Sequence, residues 1–372
     1  MEFAQERVAT LHDLTGADPD APTGDAAVVV PMTAREHASL AAERVLTELE
    51  AVDPARVVVA LRAPPDRVGT MRSWLTDYDL PLELLWCNAP AVDRLLDDAG
   101  LGGAFGKGRD VWLALGVAAS EADYVVVQDA DATTYSGRHV RRLLAPLGRG
   151  FEFSKGYYAR VENGQLYGRL CRLFYEPLVR TLADAHDAPV LSYLGAFRYA
   201  LSGEFAVTAD LATQLRAQRA WGLEVGTLGE AFAHAGVAGS AQVDLGRHEH
   251  DHRSVSGSSG LSGMCDQVAD ALFRVLDDHG VTPDFETLPA RYRDTAEEFL
   301  SAYAADAAFN GLTYDRESER EQVATYAESV GPLGADERLP TWNAAPFDAA
   351  AVRTATTASL ADIADVAPPG ED

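Results

Sequence analysis

Lysine is the residue this sequence nearly does without: of its 31 basic residues only Lys107 and Lys155 are lysine, and the rest are arginine. Cysteine is as sparse, with Cys87, Cys171 and Cys265 far apart in 372 residues. They form no CxxC and no even set, which excludes a disulfide-stapled scaffold and fits a reducing cytosol. No apolar stretch approaches the roughly 20 residues that a membrane span needs. The opening Met-Glu-Phe-Ala-Gln-Glu is not a signal peptide, so a soluble, cytoplasmic protein is expected. Positive charge is also short. With 57 acidic residues the formal net charge is -26, which excludes a nucleic-acid or anionic-membrane partner. The arginine-for-lysine bias, with abundant Ala, Asp and Glu, points to a halophilic protein. At molar salt the Debye length is only about 3 Å, so an acidic shell hardly repels itself.

What is present begins with Tyr124-Val-Val-Val-Gln-Asp129-Ala-Asp131. Five strand-forming residues make a run of the kind that fills a buried parallel strand. The run ends in two carboxylates, where ligands sit in an open α/β sheet. If the backbone stays extended, Asp129 and Asp131 face the same side. Paired hard oxygen ligands suit Mg2+ or Mn2+ bridging to substrate phosphates.

Other strand patterns fall at 26–31, 56–61 and 82–86, with helical patterns at 35–50, 66–75, 92–96 and 110–120. That alternation predicts βαβ units and an α/β fold, a mostly parallel sheet flanked by helices. Further on, helices are expected at 138–147, 166–182 and 222–235, with extended segments at 151–158, 197–207 and 239–245. A Gly/Ser-rich stretch, 256–263, reads as a loop or boundary before helical patterns at 264–279, 288–309 and 316–330. The expected organisation is an N-terminal arm (1–25), a catalytic domain (26–255), a helical segment (256–345) and a flexible tail (346–372).

Three further features carry chemistry. Gly106-Lys107-Gly108 opens a helix, where glycine lets a backbone approach phosphate and the helix N-terminus favours anions. It is not a P-loop, because the GxxxxGK[ST] spacing is absent. The chain's two lysines are this Lys107 and Lys155, the latter on the strand after the acidic pair, and a compact point charge fits where a guanidinium would not. His248, His250 and His252 alternate at a strand end, so an extended backbone puts them on one face. An imidazole there could complete a divalent-cation site beside Asp131. A three-histidine zinc site is the alternative, but no Glu-x-x-His helix accompanies it.

Gly-Lys-Gly (106–108), Asp-Ala-Asp (129–131), Lys-Gly-Tyr-Tyr-Ala-Arg (155–160) and Gly-Arg-Leu (168–170) are followed by Leu-Ser-Gly-Glu (201–204) and Trp-Gly-Leu-Glu-Val-Gly (221–226). Ala-Gln-Val-Asp-Leu-Gly-x-x-x-His (241–250) comes last. Seven motifs in this order resemble the glucosyl-3-phosphoglycerate synthases, retaining glycosyltransferases of the GT-A (Rossmann-like) type. The resemblance spans about 26–330, and Asn310-Gly-Leu-Thr-Tyr-Asp-Arg316 fits that family's helical C-terminal part. Mannosylglycerate synthases are more distant relatives.

The resemblance implies a divalent metal, Mg2+ or Mn2+, on Asp131 and His250. It implies donor contacts from Pro31, Glu36, Lys107, Asp129, Asp131, Leu201, Gly203 and Arg253. The acceptor's phosphate and carboxylate would lie against Gly168, Arg169, Cys171 and His252. Glu224, with Asp131, would stand at the reacting centre. The implied substrates are a nucleoside diphosphate sugar, UDP-glucose favoured, and 3-phosphoglycerate, handled by a homodimer. The product would be a phosphorylated compatible solute. Two positions depart from the family pattern. Pro31-Met-Thr-Ala-Arg35-Glu36 replaces Pro-x-x-Asn-Glu-Glu, which leaves UDP against GDP open, and Cys171 stands where a threonine is usual. Alternatives are transfer from GDP-mannose to glycerate or another small acceptor, and a sugar-1-phosphate nucleotidyltransferase. The last normally carries a Gly-rich loop after strand one, where this chain has no glycine.

Overall fold

The structure, a computed structural model, describes residues 5–249 and 258–364. Its first half runs β1 (Ala9–Leu11), β2 (Ala26–Thr33), α1 (Leu40–Glu50), β3 (Arg56–Arg62), α2 (Pro65–Leu75), β4 (Leu82–Trp86), α3 (Pro90–Asp98), α4 (Lys107–Ala119), β5 (Tyr124–Val127) and α5 (Arg138–Leu147). Then come β6 (Phe153–Glu162), β7 (Gln165–Leu166), a π-helical turn (Leu170–Tyr175), α6 (Glu176–Ala183), α7 (Pro189–Leu194), β8 (Phe205–Thr208), α8 (Ala209–Ala212), α9 (Leu223–His234) and β9 (Ser240–His248). Four long helices follow: α10 (Ser258–Asp278), α11 (Leu288–Phe309), α12 (Arg316–Tyr326) and α13 (Ala349–Ala364).

The main sheet has the order β1-β9-β6-β8-β5-β2-β3-β4, with β7 paired to β6 beside it. Neighbours are parallel except where β8 lies antiparallel between β5 and β6, and where β7 folds back on β6. Val28, Val29, Val30, Val57, Val58, Val59 and Val125 through Val127 are all 0% exposed. Helices on both faces make a parallel strand a continuous apolar run, not an alternating one. Each such valine contributes roughly 1.5–3 kcal/mol by leaving water.

The antiparallel strand positions the site. Its register pairs Phe205 with both Val127 and Lys155, so β8 begins where β5 ends. The loop 201–204, which feeds β8, is therefore delivered to the carboxyl end of β5, beside Asp129.

Several sequence expectations change. The predicted arm contributes β1, which lies parallel to β9 as the sheet's edge, Ala9 against Ala241. The predicted tail contains α13, packed on α3 and α4, with Val352, Thr356 and Ser359 buried. Helix α1 begins only at Leu40, capped by Ser39, whose Oγ accepts from the Ala42 N–H at 3.2 Å. Residues 166–182 are not one helix. Asn163 and Gly164 turn with positive φ, β7 pairs back on β6, and the π turn precedes α6. Of 197–207 only Phe205 onward is strand. The Gly/Ser loop is helical from Ser258, because tertiary packing of α10 on α9 outweighs weak local propensity.

Candidate active site

Four chain segments meet at the carboxyl end of β5. Helix α4 supplies Lys107 at its first residue, the end of β5 supplies Asp129, the entry to β8 supplies Gly203 and Glu204, and the first turn of α9 supplies Glu224. The Lys107 Nζ donates to Asp129 Oδ2 at 2.9 Å, with Oδ1 at 2.8 Å, and lies 3.4 Å from Glu224 Oε1. Burial alone would lower the Lys107 ammonium. The carboxylates of Asp129, Glu224 and Glu204 outweigh it and hold the group well above its ordinary value.

Gly203 is required by this pair. A Cβ there would fall 2.1 Å from Asp129 Oδ2 and 2.7 Å from Lys107 Nζ. The glycines around Lys107 have a packing role that the sequence did not show. A Cβ on Gly106 would meet Ala220 Cβ at 2.5 Å, and one on Gly108 would meet the Gln218 carbonyl at 1.8 Å. They let α4 seat against 218–220, where Arg109 N–H donates to the Arg219 carbonyl at 2.8 Å, and so fix Lys107 relative to α9.

Lys155, on β6, is 1% exposed, and its ammonium donates to the Ser202 carbonyl. Ser202 Oγ in turn donates to the Gly156 carbonyl, so the loop 201–204 is tied to β6 twice. Burial pushes Lys155 down to about 8, with Lys107 adding to the fall and Glu224 and Glu204 opposing it. The chain's two lysines thus stand among three carboxylates, Asp129, Glu204 and Glu224, which leaves one negative charge in excess before Asp131 is counted.

Asp131 is partly buried two residues beyond Asp129, after a bend at Ala130, so the pair is not a simple extended i, i+2 couple. Its loop is clamped to the end of β9. Thr133 N–H donates to the Glu249 carbonyl at 2.8 Å, and Glu249 N–H donates to Thr134 Oγ1 at 3.1 Å. His250, His252 and Arg253 lie outside the described residues. His248, the first of the histidine series, is 0% exposed and stacks on Tyr158 with ring centroids 4.1 Å apart. Among the described residues no group of three or more His, Cys, Asp or Glu side chains could hold a metal.

Following β7, Gly168 adopts φ +74°, and a Cβ there would strike Tyr199 Oη at 2.5 Å. Arg169 follows, 39% exposed at the side chain, at the start of the π turn. Cys171 is 1% exposed inside the core, with burial pushing its thiol up. Leu201 is partly buried against the core. Pro31 is partly buried within β2, which continues to Thr33. Glu36 is committed to its own turn: its Oε2 accepts from Thr33 N–H at 2.6 Å and from Thr33 Oγ1 at 2.7 Å. Sequence reasoning left Glu204, Tyr158, Tyr199, Arg160 and Glu319 out of the site. Glu204, Tyr158 and Arg160 lay inside motifs that could have marked them, and Tyr199 and Glu319 did not.

A mostly parallel sheet with one reversed strand, and an acidic residue just beyond its central strand paired with a helix-borne lysine, define a glycosyltransferase of the GT-A type. No family model matches the chain. It is 33% identical over 381 residues to glucosyl-3-phosphoglycerate synthase of Methanococcoides burtonii, covering 93% of this chain and 94% of that one. To the enzyme of the same name from Persephonella marina it is 35% identical over 321 residues, covering 82% and 79% respectively. The chain belongs to the glucosyl-3-phosphoglycerate synthase family. The crystal structure of glucosyl-3-phosphoglycerate synthase from Mycobacterium tuberculosis with Mn2+, UDP-glucose and phosphoglyceric acid shares the fold, with TM-score 0.53 and 25% identity over 71% of this chain and 82% of that one.

Proposed function

We propose that this glycosyltransferase moves glucose from UDP-glucose to 3-phosphoglycerate with the help of Mg2+ or Mn2+. The observation that carries the reading is the Lys107–Asp129–Glu224 cluster beside Gly203, in a chain a third identical to named glucosyl-3-phosphoglycerate synthases along nearly its whole length. The M. tuberculosis relative, bound to Mn2+, UDP-glucose and phosphoglyceric acid, supports the substrates and the metal.

The donor set fits a hard divalent cation. Carboxylates exceed ammoniums around the two lysines, and the Glu249–Thr133 clamp holds the chain just before His250 next to the loop of Asp131. Asp131 and His250 are the proposed metal ligands. A bound cation would supply charge neutralisation for the departing diphosphate. Lys107 adds a fixed positive charge there, poised by Asp129 and needing no reorganisation. Arg253 is proposed for the same diphosphate. Glu224, 9% exposed and within reach of Lys107, stands where the donor sugar and the acceptor hydroxyl would meet. Arg169 and the Gly168 backbone hold the acceptor's phosphate and carboxylate, beside His252. Pro31 and Glu36 shape the nucleotide side through the turn after β2. GDP-mannose transfer and nucleotidyl transfer are not favoured by the named relatives.

The homodimer and the cytoplasmic setting belong to the same reading, the latter supported by three buried, unbridged cysteines. Among the described residues no helix is long and apolar enough to cross a membrane. The test is a donor-by-acceptor activity matrix in molar KCl, with and without Mn2+, together with Asp131→Ala and His250→Ala. UDP-glucose with 3-phosphoglycerate should give the highest kcat/KM, and both variants should lose most turnover while remaining folded. A preference for unphosphorylated glycerate, or unchanged Mn2+ dependence in His250→Ala, would overturn the reading.

A further inference from the structure

The acceptor-side arginine does not stand alone. Glu319, on α12, is 3% exposed although it is a carboxylate. Its Oε1 accepts from Arg172 Nη2 at 2.7 Å, and its Oε2 from Arg172 Nη1 at 3.3 Å. Arg172 is further held by the Tyr167 and Leu166 carbonyls, and its guanidinium lies 4.6 Å over the Tyr303 ring. The same Glu319 Oε1 lies 3.7 Å from Arg169 Nε. One carboxylate therefore serves two guanidiniums, one buried and fully engaged, the other partly exposed. Among the described residues the Arg169 side chain makes no hydrogen bond.

The charge count shows what this arrangement does. Arg172 cancels Glu319 inside the protein, and the remaining unit of positive charge is presented at Arg169. Burying a carboxylate is costly unless it is paired and hydrogen-bonded, and the bidentate Arg172 contact meets that condition. With Glu319 so anchored, its contact with the Nε edge orients the Arg169 guanidinium and leaves both Nη groups to meet an incoming anion.

We propose that Glu319 is a positioning residue for the acceptor: α12 reaches back to the π turn and aims Arg169 at the anionic end of the acceptor. The inference rests on the acceptor role proposed for Arg169. It also gives the helical C-terminal segment a part in substrate selection, since the side chain that sets the arginine lies about 150 residues beyond it in sequence.

A double-mutant cycle tests it, with UDP-glucose, Mn2+ and varied 3-phosphoglycerate. Glu319→Gln keeps the shape and removes the charge. It should raise the 3-phosphoglycerate KM about tenfold, the scale of losing one charge-assisted contact. The UDP-glucose KM and kcat should stay within about twofold, a split that general destabilisation would not produce. In an Arg169→Ala background the same change should move the acceptor KM less than about twofold, because the group it positions is gone. If the two effects multiply, or if donor and acceptor KM rise together, the positioning role is overturned. Should Glu319→Gln fail to fold by circular dichroism, Glu319→Asp serves instead. It keeps the charge and the Arg172 pair while withdrawing from Arg169, and should raise only the acceptor KM, by about threefold. A wild type that uses a different anionic acceptor would defeat the named substrate alone, and the cycle is then run on that acceptor.

Discussion

A missing methyl group decides whether the central ion pair can form. Gly203→Ala would put a Cβ into the space of Asp129 Oδ2 and Lys107 Nζ, so the expected outcome is a fall in kcat/KM of about ten- to a hundredfold with little change in melting temperature. Steady-state kinetics beside a thermal melt check this. Elsewhere, His139 on α5 is 5% exposed, packed edge-on to Tyr135, and burial with Arg142 nearby depresses it from 6.5 to about 4. Between those values the unfolded chain binds the proton and the folded one does not. Stability should therefore fall as pH drops from about 6.5 to 4, by roughly 3 kcal/mol in all. His139→Gln should flatten that limb in denaturant titrations at stepped pH. The chain's avoidance of lysine made Lys107 and Lys155 visible in the sequence. The packing role of the glycines beside Lys107 was not legible, because their close neighbours, 218–220, lie more than a hundred residues away. Glu319 was invisible for the same reason.

Helices and strands with a strong apolar signature were legible nearly to the residue. The strand Leu82–Trp86 and the helices Arg138–Leu147 and Leu288–Phe309 begin and end where the pattern says. Elements defined by distant partners were not. The edge strand β1 has only three residues, and α13 buries small or polar side chains such as Thr356 and Ser359, which give no apolar stripe. Yet α13 is anchored: Arg353 donates to Glu83 Oε1 at 2.7 Å and pairs with Glu121 at 2.8 Å. Ending the chain before residue 349 should lower the melting temperature by several degrees, since about 1 kcal/mol shifts a domain of this size by a few degrees or less. Substrate KM values measured well below the melt should be unchanged. Loss of acceptor binding in that truncation would mean that α13 has a share in the site.

Across the molecule, a net charge of -26 makes the folded state repel itself wherever screening is weak. The melting temperature should climb steadily from tenth-molar to multimolar KCl, and a flat profile would assign the acidity another purpose. The order of the strands has a consequence for how the chain is made. Strands β2, β3, β4 and β5 are neighbours that all lie within residues 26–127, so the ribosome delivers them as a set. The edge strand pairs Leu11 with Val243. Its partner leaves the ribosome some 230 residues later, so β1 is made before β2 to β5 but docks after them. While the intervening residues are made, β1 stays an unpaired strand, waiting for the far end of the sheet to arrive.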